Sequence, residues 1–167
     1  MEDVIRQGDE EEIRLVAFQL GREEYAIEVS QVREILNMVD VTRMPNAPAY
    51  MKGVINLRGQ ILAVIDLAER LNIASGGGDR RIIVVELGEN KVGMIVDYVS
   101  EVFRVSASSV EASPVFSQEA ESGMIKGVIK LQNRLLILLD VAHVLSAVED
   151  WRGASGTDGQ TAASDSE

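Results

Sequence analysis

Hydrophobic residues along this chain fall into short runs separated by glycine-containing turns. The runs RLVAFQL (14–20) and RIIVVEL (81–87) are rich in β-branched and aliphatic residues, and a glycine suited to a turn follows each. The stretches 54–65 and 128–139 each contain two apolar runs joined by a two-residue turn, which predicts a hairpin. The pattern therefore predicts a mainly β protein.

The chain contains the same pattern twice. MKGVINLRGQILAVIDLAERL (51–71) and IKGVIKLQNRLLILLDVAHVL (125–145) share nine of 21 residues at a constant offset of 74. A second pair of blocks, 15–36 and 82–103, aligns at an offset of 67. Two blocks in the same order at nearly equal offsets indicate duplication of one small module.

The two hairpin turns occupy the same place in the repeat but differ in sequence. The first is Arg58-Gly59 and the second is Gln132-Asn133. Glycine and asparagine are the residue types that best tolerate positive φ, so we predict positive φ at Gly59 and at Asn133. The arginine has no counterpart in the second turn, which marks a position where one copy was free to specialise.

Each hairpin is followed by an aspartate and a short segment with helical spacing. Asp66 and Asp140 stand where an N-cap carboxylate would accept the first free amides of a helix. Two all-β modules that each end in a short helix indicate paired small barrels, since closure removes the edges of a small sheet. The apolar residues at i, i+3, i+4 and i+7 of the second helix are Val141, Val144, Leu145 and Val148.

Composition suggests where the modules begin and end. SGGGD at 75–79 reads as a flexible connector, and the Gly/Ser/Ala/Thr-rich carboxyl tail is expected to be disordered. The expected division is a flexible acidic terminus at 1–12, a body at 13–149 and a tail at 150–167. Within the body we expect two subdomains, at about 13–74 and 80–140, and a closing helix at about 140–149.

The net charge of −11 comes mainly from the two ends. Residues 1–12 hold six acids and one base, and residues 150–167 hold four acids and one base, so the remainder has 17 acids and 14 bases. A nearly balanced body without a basic stripe disfavours nucleic-acid binding. Acidic tails more often serve solubility than binding.

Several classes of protein are disfavoured by what the sequence lacks. No apolar run approaches the roughly 20 residues that span a bilayer, and the amino terminus does not resemble a secretory signal. There is no cysteine, hence no disulfide, thiolate nucleophile or cysteine metal site. We expect a soluble intracellular protein without direct membrane insertion.

The remaining polar residues do not suggest catalysis. His143 is the single histidine and reads as an exposed helix residue rather than a ligand or base. Asp66 and Asp140 read as caps rather than a carboxylate dyad. The triple glycine at 76–78 lacks a following Lys-Ser/Thr, so it reads as a linker rather than a phosphate loop. We expect no active site, no metal and no cofactor.

Four stretches carry the most specific pattern: EYAIEVSQVREI, VTRMPNAPAYMKGVINLRGQILAVIDL, GMIVDYVSEVF and IKGVIKLQNRLLILLD. Together they resemble the CheW family of bacterial chemotaxis coupling proteins, over about residues 13–148. The segment 45–67, with P-x-x-P, K-G-V-x-N-L-R-G and V-I-D-L, is the most specific part. The second hairpin, LQNR, departs from a strict family signature.

The resemblance implies an all-β fold of two intertwined five-stranded SH3-like barrels with short helices. It also implies a non-catalytic adaptor that couples the cytoplasmic tip of methyl-accepting chemoreceptors to the regulatory domain of the histidine kinase CheA. Such an adaptor is cytoplasmic and is recruited to receptor arrays at the inner face of the membrane.

Other roles remain open for the same fold. The domain also occurs in CheA and in CheV proteins, so a CheW-like regulatory module of a kinase or CheV-type protein is the alternative. The chain shows no kinase, phosphotransfer or receiver sequence, which favours the free-standing adaptor. A small-barrel enzyme or ligand binder would need a pocket with convergent polar groups.

The resemblance places receptor contacts in the first copy. The candidate residues are Val29, Val32, Arg33, Glu34, Gly53, Arg58 and Gly59. The valines also fit a core position by their spacing, and the glycines would act by permitting backbone geometry. Arg58 has two readings, one in which it lines the receptor groove and one in which it donates to backbone carbonyls at the seam between the barrels.

The kinase contacts are expected in the second copy. The candidate residues are Asp97, Val99 and Glu101.

Overall fold

Strands make up most of the structure, as the hydrophobic pattern predicts. The computed structural model describes residues 11–111 and 123–146, so Val148 and the expected disordered tail lie outside the described residues. The described strands are β1 (Glu12–Leu20), β2 (Glu23–Glu28), β3 (Val32–Asn37), β4 (Met51–Leu57), β5 (Gln60–Asp66), β6 (Arg81–Leu87), β7 (Asn90–Val96), β8 (Tyr98–Ser106), β9 (Val110–Glu111), β10 (Ile125–Leu131) and β11 (Arg134–Leu139). The described helices are α1 (Leu67–Arg70) and α2 (141–146), with 3-10 turns at Val29–Gln31 and Ala107–Ser109.

The strands form two sheets, and each sheet takes strands from both copies of the repeat. The first sheet has the order β8-β1-β2-β11-β10-β9 and the second the order β3-β6-β7-β5-β4. In the first, β2 pairs in parallel with β11, and in the second, β5 pairs in parallel with β7. The predicted intertwining is confirmed. The expected subdomains at 13–74 and 80–140 thus follow the sequence repeat and not the sheets.

The pairing pattern is symmetric on exchange of the two copies. Tyr25 lies opposite Ile137 in the first sheet, and Val92 lies opposite Ala63 in the second. The offsets of 67 and 74 relate these two pairs residue by residue. The β-bulges also recur at equivalent places of the two copies. One equivalent pair lies in β3 and β8, and the other lies in β4 and β10. The sequence repeat is therefore a structural repeat as well.

The first sheet has one strand more than the five expected. Its sixth strand, β9, has two residues and pairs Glu111 with Val128. In the second sheet the equivalent contact is a single bridge between Thr42 and Val54. Among the described strands the two outer strands of a sheet do not pair with each other, so neither sheet closes into a hydrogen-bonded barrel.

The buried apolar side chains of the described residues form three clusters, and the largest lies between the two sheets. Alternate residues of β1 show the arrangement, because Val16 and Phe18 enter the shared cluster while Leu15 and Ala17 enter a cluster confined to the first sheet. The second sheet has an equivalent cluster of its own around Val64. Each sheet therefore buries both faces at its centre, one against its own curved interior and one against the other sheet.

The predicted helix caps are confirmed. The carboxylate of Asp66 accepts a hydrogen bond from the backbone N–H of Glu69 at 3.4 Å, and that of Asp140 accepts from the N–H of His143 at 3.2 Å. Each aspartate closes the first turn of its helix, in equivalent positions of the two copies.

The two hairpin turns differ more than expected. In the first, Arg58 has φ 50° and Gly59 has φ 89°, so both turn residues adopt positive φ. The prediction for Asn133 is wrong, because Asn133 is not among the described residues with positive φ. Its turn therefore follows a different backbone path, and the arginine, rather than an asparagine, carries the unusual conformation.

We predict that Gly53→Ala destabilises the fold by about 2–4 kcal/mol. Gly53 has φ 148°, and a Cβ there would stand 2.0 Å from the carbonyl oxygen of Thr42, where the Thr42–Val54 bridge forms. The measurement is urea-induced unfolding at neutral pH.

The matched control is Gly59→Ala. Gly59 also has positive φ, but no atom lies within 4 Å of a Cβ built there. We expect a cost of about 1–2 kcal/mol from the backbone conformation alone. Equal losses for the two variants would contradict the steric account of Gly53.

Candidate functional site

Arg58 and Glu34, two of the predicted receptor residues, form an ion pair. The guanidinium at the β4–β5 turn donates to the Glu34 carboxylate on β3. Since β3 and β4 are the outer strands of the second sheet, the ion pair spans the opening of that sheet. The Arg58 side chain is still 69% exposed.

The seam interpretation of Arg58 finds no support in its contacts. Among the described residues the guanidinium donates to the Glu34 carboxylate and to no backbone carbonyl. A guanidinium carries five N–H donors, so most of the donors of Arg58 remain available to a further acceptor.

Arg58 lies in a polar cavity of about 510 Å³ that we call the Arg58 corner. The Arg33 Nε donates to the Glu86 carboxylate at 3.1 Å, and the Lys91 Nζ donates to the Gln60 side-chain oxygen at 3.3 Å. Three cations therefore surround this opening in a chain of negative net charge. The corner is lined by Arg33, Glu34, Leu57, Arg58, Gln60, Val84 and Lys91.

The first sheet has a second arginine at the equivalent opening. Arg134 donates to Glu24 through two nitrogens, at 2.9 and 2.7 Å, and to Glu101 at 2.8 Å. The guanidinium also lies 4.8 Å from the centre of the Phe103 ring. Ser100 adds a hydrogen bond to Glu24 at 3.1 Å. We call this group the Arg134 corner.

The two corners lie at equivalent places of the repeat but hold their arginine at different positions. Glu101 is the repeat equivalent of Glu34, but Arg134 is the equivalent of Gln60 rather than of Arg58. The second copy thus retains the ion pair and moves its arginine two residues, from the turn onto β11. Arg134 is 34% exposed, about half the exposure of Arg58. The repeat comparison did not identify Arg134, because it compared aligned positions only.

The Arg134 corner satisfies its own charges. The hydrogen bond from Arg134 lowers the pKa of Glu24, burial opposes this, and the Ser100 hydroxyl lowers the pKa further. The two glutamates, Glu24 first, raise the pKa of Arg134 in return. The Arg58 corner has no equivalent of Glu24, because Lys91 stands at that position. An acidic partner would therefore find an available cation at Arg58 and a neutralised one at Arg134.

The predicted valines are half-buried. Val29, Val32 and Val99 all pack against the cluster shared by the two sheets. Val32 and Val99 are equivalent residues of the repeat, on β3 and β8. The core reading of these valines is thus supported by their packing, while their remaining exposure leaves part of each side chain at the surface.

Asp97, a predicted kinase residue, is buried with 3% exposure. Its carboxylate accepts hydrogen bonds from the backbone N–H groups of Gly21 and Gly76, at 2.8 and 2.5 Å, and from the Ser75 hydroxyl at 2.6 Å. Asp97 therefore ties the connector between the copies to the β1–β2 turn. Burial acts to raise the pKa of Asp97, but these three hydrogen bonds and the charge of Arg80 outweigh it and lower the pKa.

Other chemistry has little support in the described residues. Residues 11–111 and 123–146 contain no group of three or more His, Cys, Asp or Glu that could hold a metal ion. His143 is exposed and its Nδ1 lies 3.1 Å from the Asp140 carboxylate, within its own helix. In the same part of the chain, no helix has both the length and the apolar character needed to cross a bilayer.

We predict that Glu24→Gln destabilises the protein by about 1–2 kcal/mol at neutral pH, because it removes the charge that pairs with Arg134. The folded pKa of Glu24 is lowered, so its stabilisation is present above the unfolded pKa of about 4.3 and is lost as pH falls through the folded pKa. Urea unfolding between pH 7 and pH 3 should show the difference from wild type shrinking below about pH 4.

The matched control is Glu34→Gln, which removes the carboxylate of a single ion pair whose arginine is 69% exposed. We expect a change within about 0.5 kcal/mol. A Glu24→Gln effect that does not vary with pH would contradict the ionic account of this corner.

We predict that Asp97→Ala costs about 2–3 kcal/mol, because it leaves buried donors at Gly21 and Gly76 without an acceptor. Asp97→Asn should cost less, since an amide oxygen can accept both N–H groups while its NH₂ donates to the Ser75 oxygen. The measurement is urea unfolding, together with amide hydrogen exchange at Gly76. Equal losses and unchanged exchange in both variants would show that the carboxylate does not hold the connector.

Comparison with known proteins agrees with this geometry. Residues 14–149 match the family model of the CheW-like domain. A probable chemotaxis protein CheW from Rhizobium etli is 36% identical over 147 residues, covering 87% of this chain and 93% of the relative. The chemotaxis protein CheW of Klebsiella aerogenes is 38% identical over 136 residues, covering 79% and 81%.

A solved structure supports the fold. The crystal structure of the scaffolding protein TtCheW from Thermoanaerobacter tengcongensis superposes with a TM-score of 0.73 and 34% identity, covering 80% of this chain and 87% of that one. The matched region includes both sheets and both corners of the chain described above. This chain belongs to the CheW-like domain family of chemotaxis proteins.

Proposed function

We propose that this chain is a non-catalytic adaptor that couples the cytoplasmic tips of chemoreceptors to the histidine kinase CheA at receptor arrays. The observation that carries the proposal is the unlike chemistry of two equivalent corners. One presents the available cation of Arg58, and the other presents a neutralised network around Arg134. An adaptor needs two surfaces of this kind, because it must distinguish two partners.

The receptor surface is assigned to the Arg58 corner and the strands beside it. Arg58, Arg33 and Glu34 offer charged groups at the opening of the second sheet. Partly exposed apolar surface is added by Val29 and Val32, which lie close in sequence to Arg33 and Glu34. A helix that carries a polar or acidic group next to an apolar face would satisfy both parts.

Gly53 and Gly59 support this surface through the backbone. Gly59 completes the turn that holds Arg58 at positive φ, and Gly53 allows Thr42 to approach β4. Neither glycine needs to touch the receptor for its substitution to weaken binding.

The kinase surface is assigned to β8. Val99 and Glu101 lie on this outer strand of the first sheet, where Glu101 is exposed beside Arg134. Asp97 is a positioning residue here, because its buried carboxylate holds the connector and the start of β8 rather than meeting a partner. Individually modest contacts of this kind hold an assembly together when many are arranged in an array.

We predict that Arg58→Ala weakens binding of a receptor signalling-tip fragment about tenfold and leaves binding of the CheA regulatory domain unchanged. The stability change should stay within about 0.5 kcal/mol, because the side chain is exposed. Pull-down followed by titration of each partner measures both effects.

The matched control is Gln132→Ala, at the equivalent turn of the second copy. We expect it to bind the receptor fragment as wild type does. Wild-type protein that binds neither partner would remove the coupling function. Kinase binding that requires a phosphorylated receiver domain would instead favour a CheV-type module.

A further inference from the structure

A methionine-lined groove of about 760 Å³ lies beside the second sheet, apart from both corners. Its wall is the segment that joins β3 to β4, and its floor includes Met51 and Ile95. Met38 and Met44 are exposed along it. Methionine side chains are flexible and polarisable, and they make favourable contacts with aromatic rings. We call this cavity the methionine groove.

The described charged residues of the methionine groove are all cations. Within 11–111 and 123–146, Arg43, Lys52 and Arg80 line it and no acidic side chain does, in a chain with a net charge of −11. Lys52 pairs with Glu69 and Arg80 with Asp66, both outside the lining. Arg43 has no ion pair among the described residues. The groove therefore favours an occupant that is acidic and aromatic.

The described chain ends close to the methionine groove. Arg70 of α1 donates to the carbonyl oxygens of Val144 and His143 in α2, at 2.8 and 3.3 Å. The same guanidinium lies 5.5 Å from the centre of the Tyr50 ring. Tyr50 is flanked in sequence by Ala49 and Met51, which both line the groove. The described part of α2 is thus linked through Arg70 to a residue next to the groove, and the segment 147–167 follows α2 in sequence.

This segment has the chemistry that the groove favours. It carries Glu149 and Asp150 directly before Trp151, the single tryptophan of the chain. Trp151 follows Ser146 by five residues, which span up to about 16 Å when extended. Trp151 and the two acids before it are therefore within that length of the last described residue before them.

We propose that the methionine groove is a docking site for the carboxyl-terminal segment of this chain, with Trp151 against the methionines and Glu149 and Asp150 near Arg43. This inference does not depend on the proposed adaptor function. It makes the groove a covered surface in the free protein, which a partner could use only by displacing the segment.

The test is the fluorescence of the full chain, because Trp151 is the only tryptophan and reports directly on its own surroundings. Wild-type protein should show blue-shifted emission and slow quenching by acrylamide. Arg43→Glu should shift the emission to the red and lower the ratio of docked to undocked segment about fivefold, as expected for loss of an exposed ion pair. High salt should act in the same direction.

The matched control is Arg104→Glu, an exposed arginine on β8 in the first sheet, with the same change in net charge. It should leave emission and quenching as in wild type. Emission of a fully solvated tryptophan in wild-type protein would overturn the proposal, as would a blue shift that Arg43→Glu does not alter. A blue shift that appears only at high protein concentration would assign the groove to the segment of a second copy and would also overturn it.

Discussion

The structure depends on the cluster of apolar side chains that the two sheets share. The parallel pairs β2–β11 and β5–β7 bring strands of both copies into each sheet, and the central strands then bury both faces. Long apolar runs such as β6 are explained by this double burial, which an open two-sided sheet would not need. Neither copy completes a sheet without strands from the other, so each copy depends on the other to bury its share of this cluster.

This arrangement also decides where polar chemistry can lie. The centre of each sheet is apolar on both sides, and the openings between the outer strands are two of the places where charged groups gather. The symmetric pairing creates two such openings with a glutamate at the same position of each, Glu34 and Glu101. In the second copy the arginine lies two residues further along the repeat, and it forms a closed hydrogen-bond network at the opening of the first sheet. At the opening of the second sheet, the arginine stays available to a partner. A small change in sequence has therefore produced two unlike surfaces on one repeated frame.

The sequence analysis named three residues of the Arg58 corner, Arg33, Glu34 and Arg58, and missed the others, such as Lys91. It singled out Arg58 from the asymmetry of the turns and Glu34 from the family resemblance, but it did not place them together, because they are 24 residues apart on opposite edges of a sheet. The comparison of the two copies did not identify Arg134, because the residue aligned with it in the first copy is a glutamine. Asp97 was expected to contact the kinase, and its burial follows from hydrogen bonds with the connector, which no local pattern reveals.

The sequence by itself determined the strands, the duplication, the helix caps at Asp66 and Asp140, and the family. These are local or repeated features, set by hydrophobic periodicity and by the chemistry of a few turn and cap residues. Only the tertiary structure decided which strands of the two copies pair, how far each sheet closes, and which charged side chains meet at the openings of the sheets. Those outcomes rest on contacts between residues far apart in the chain, whose free energies depend on the packing of the whole core.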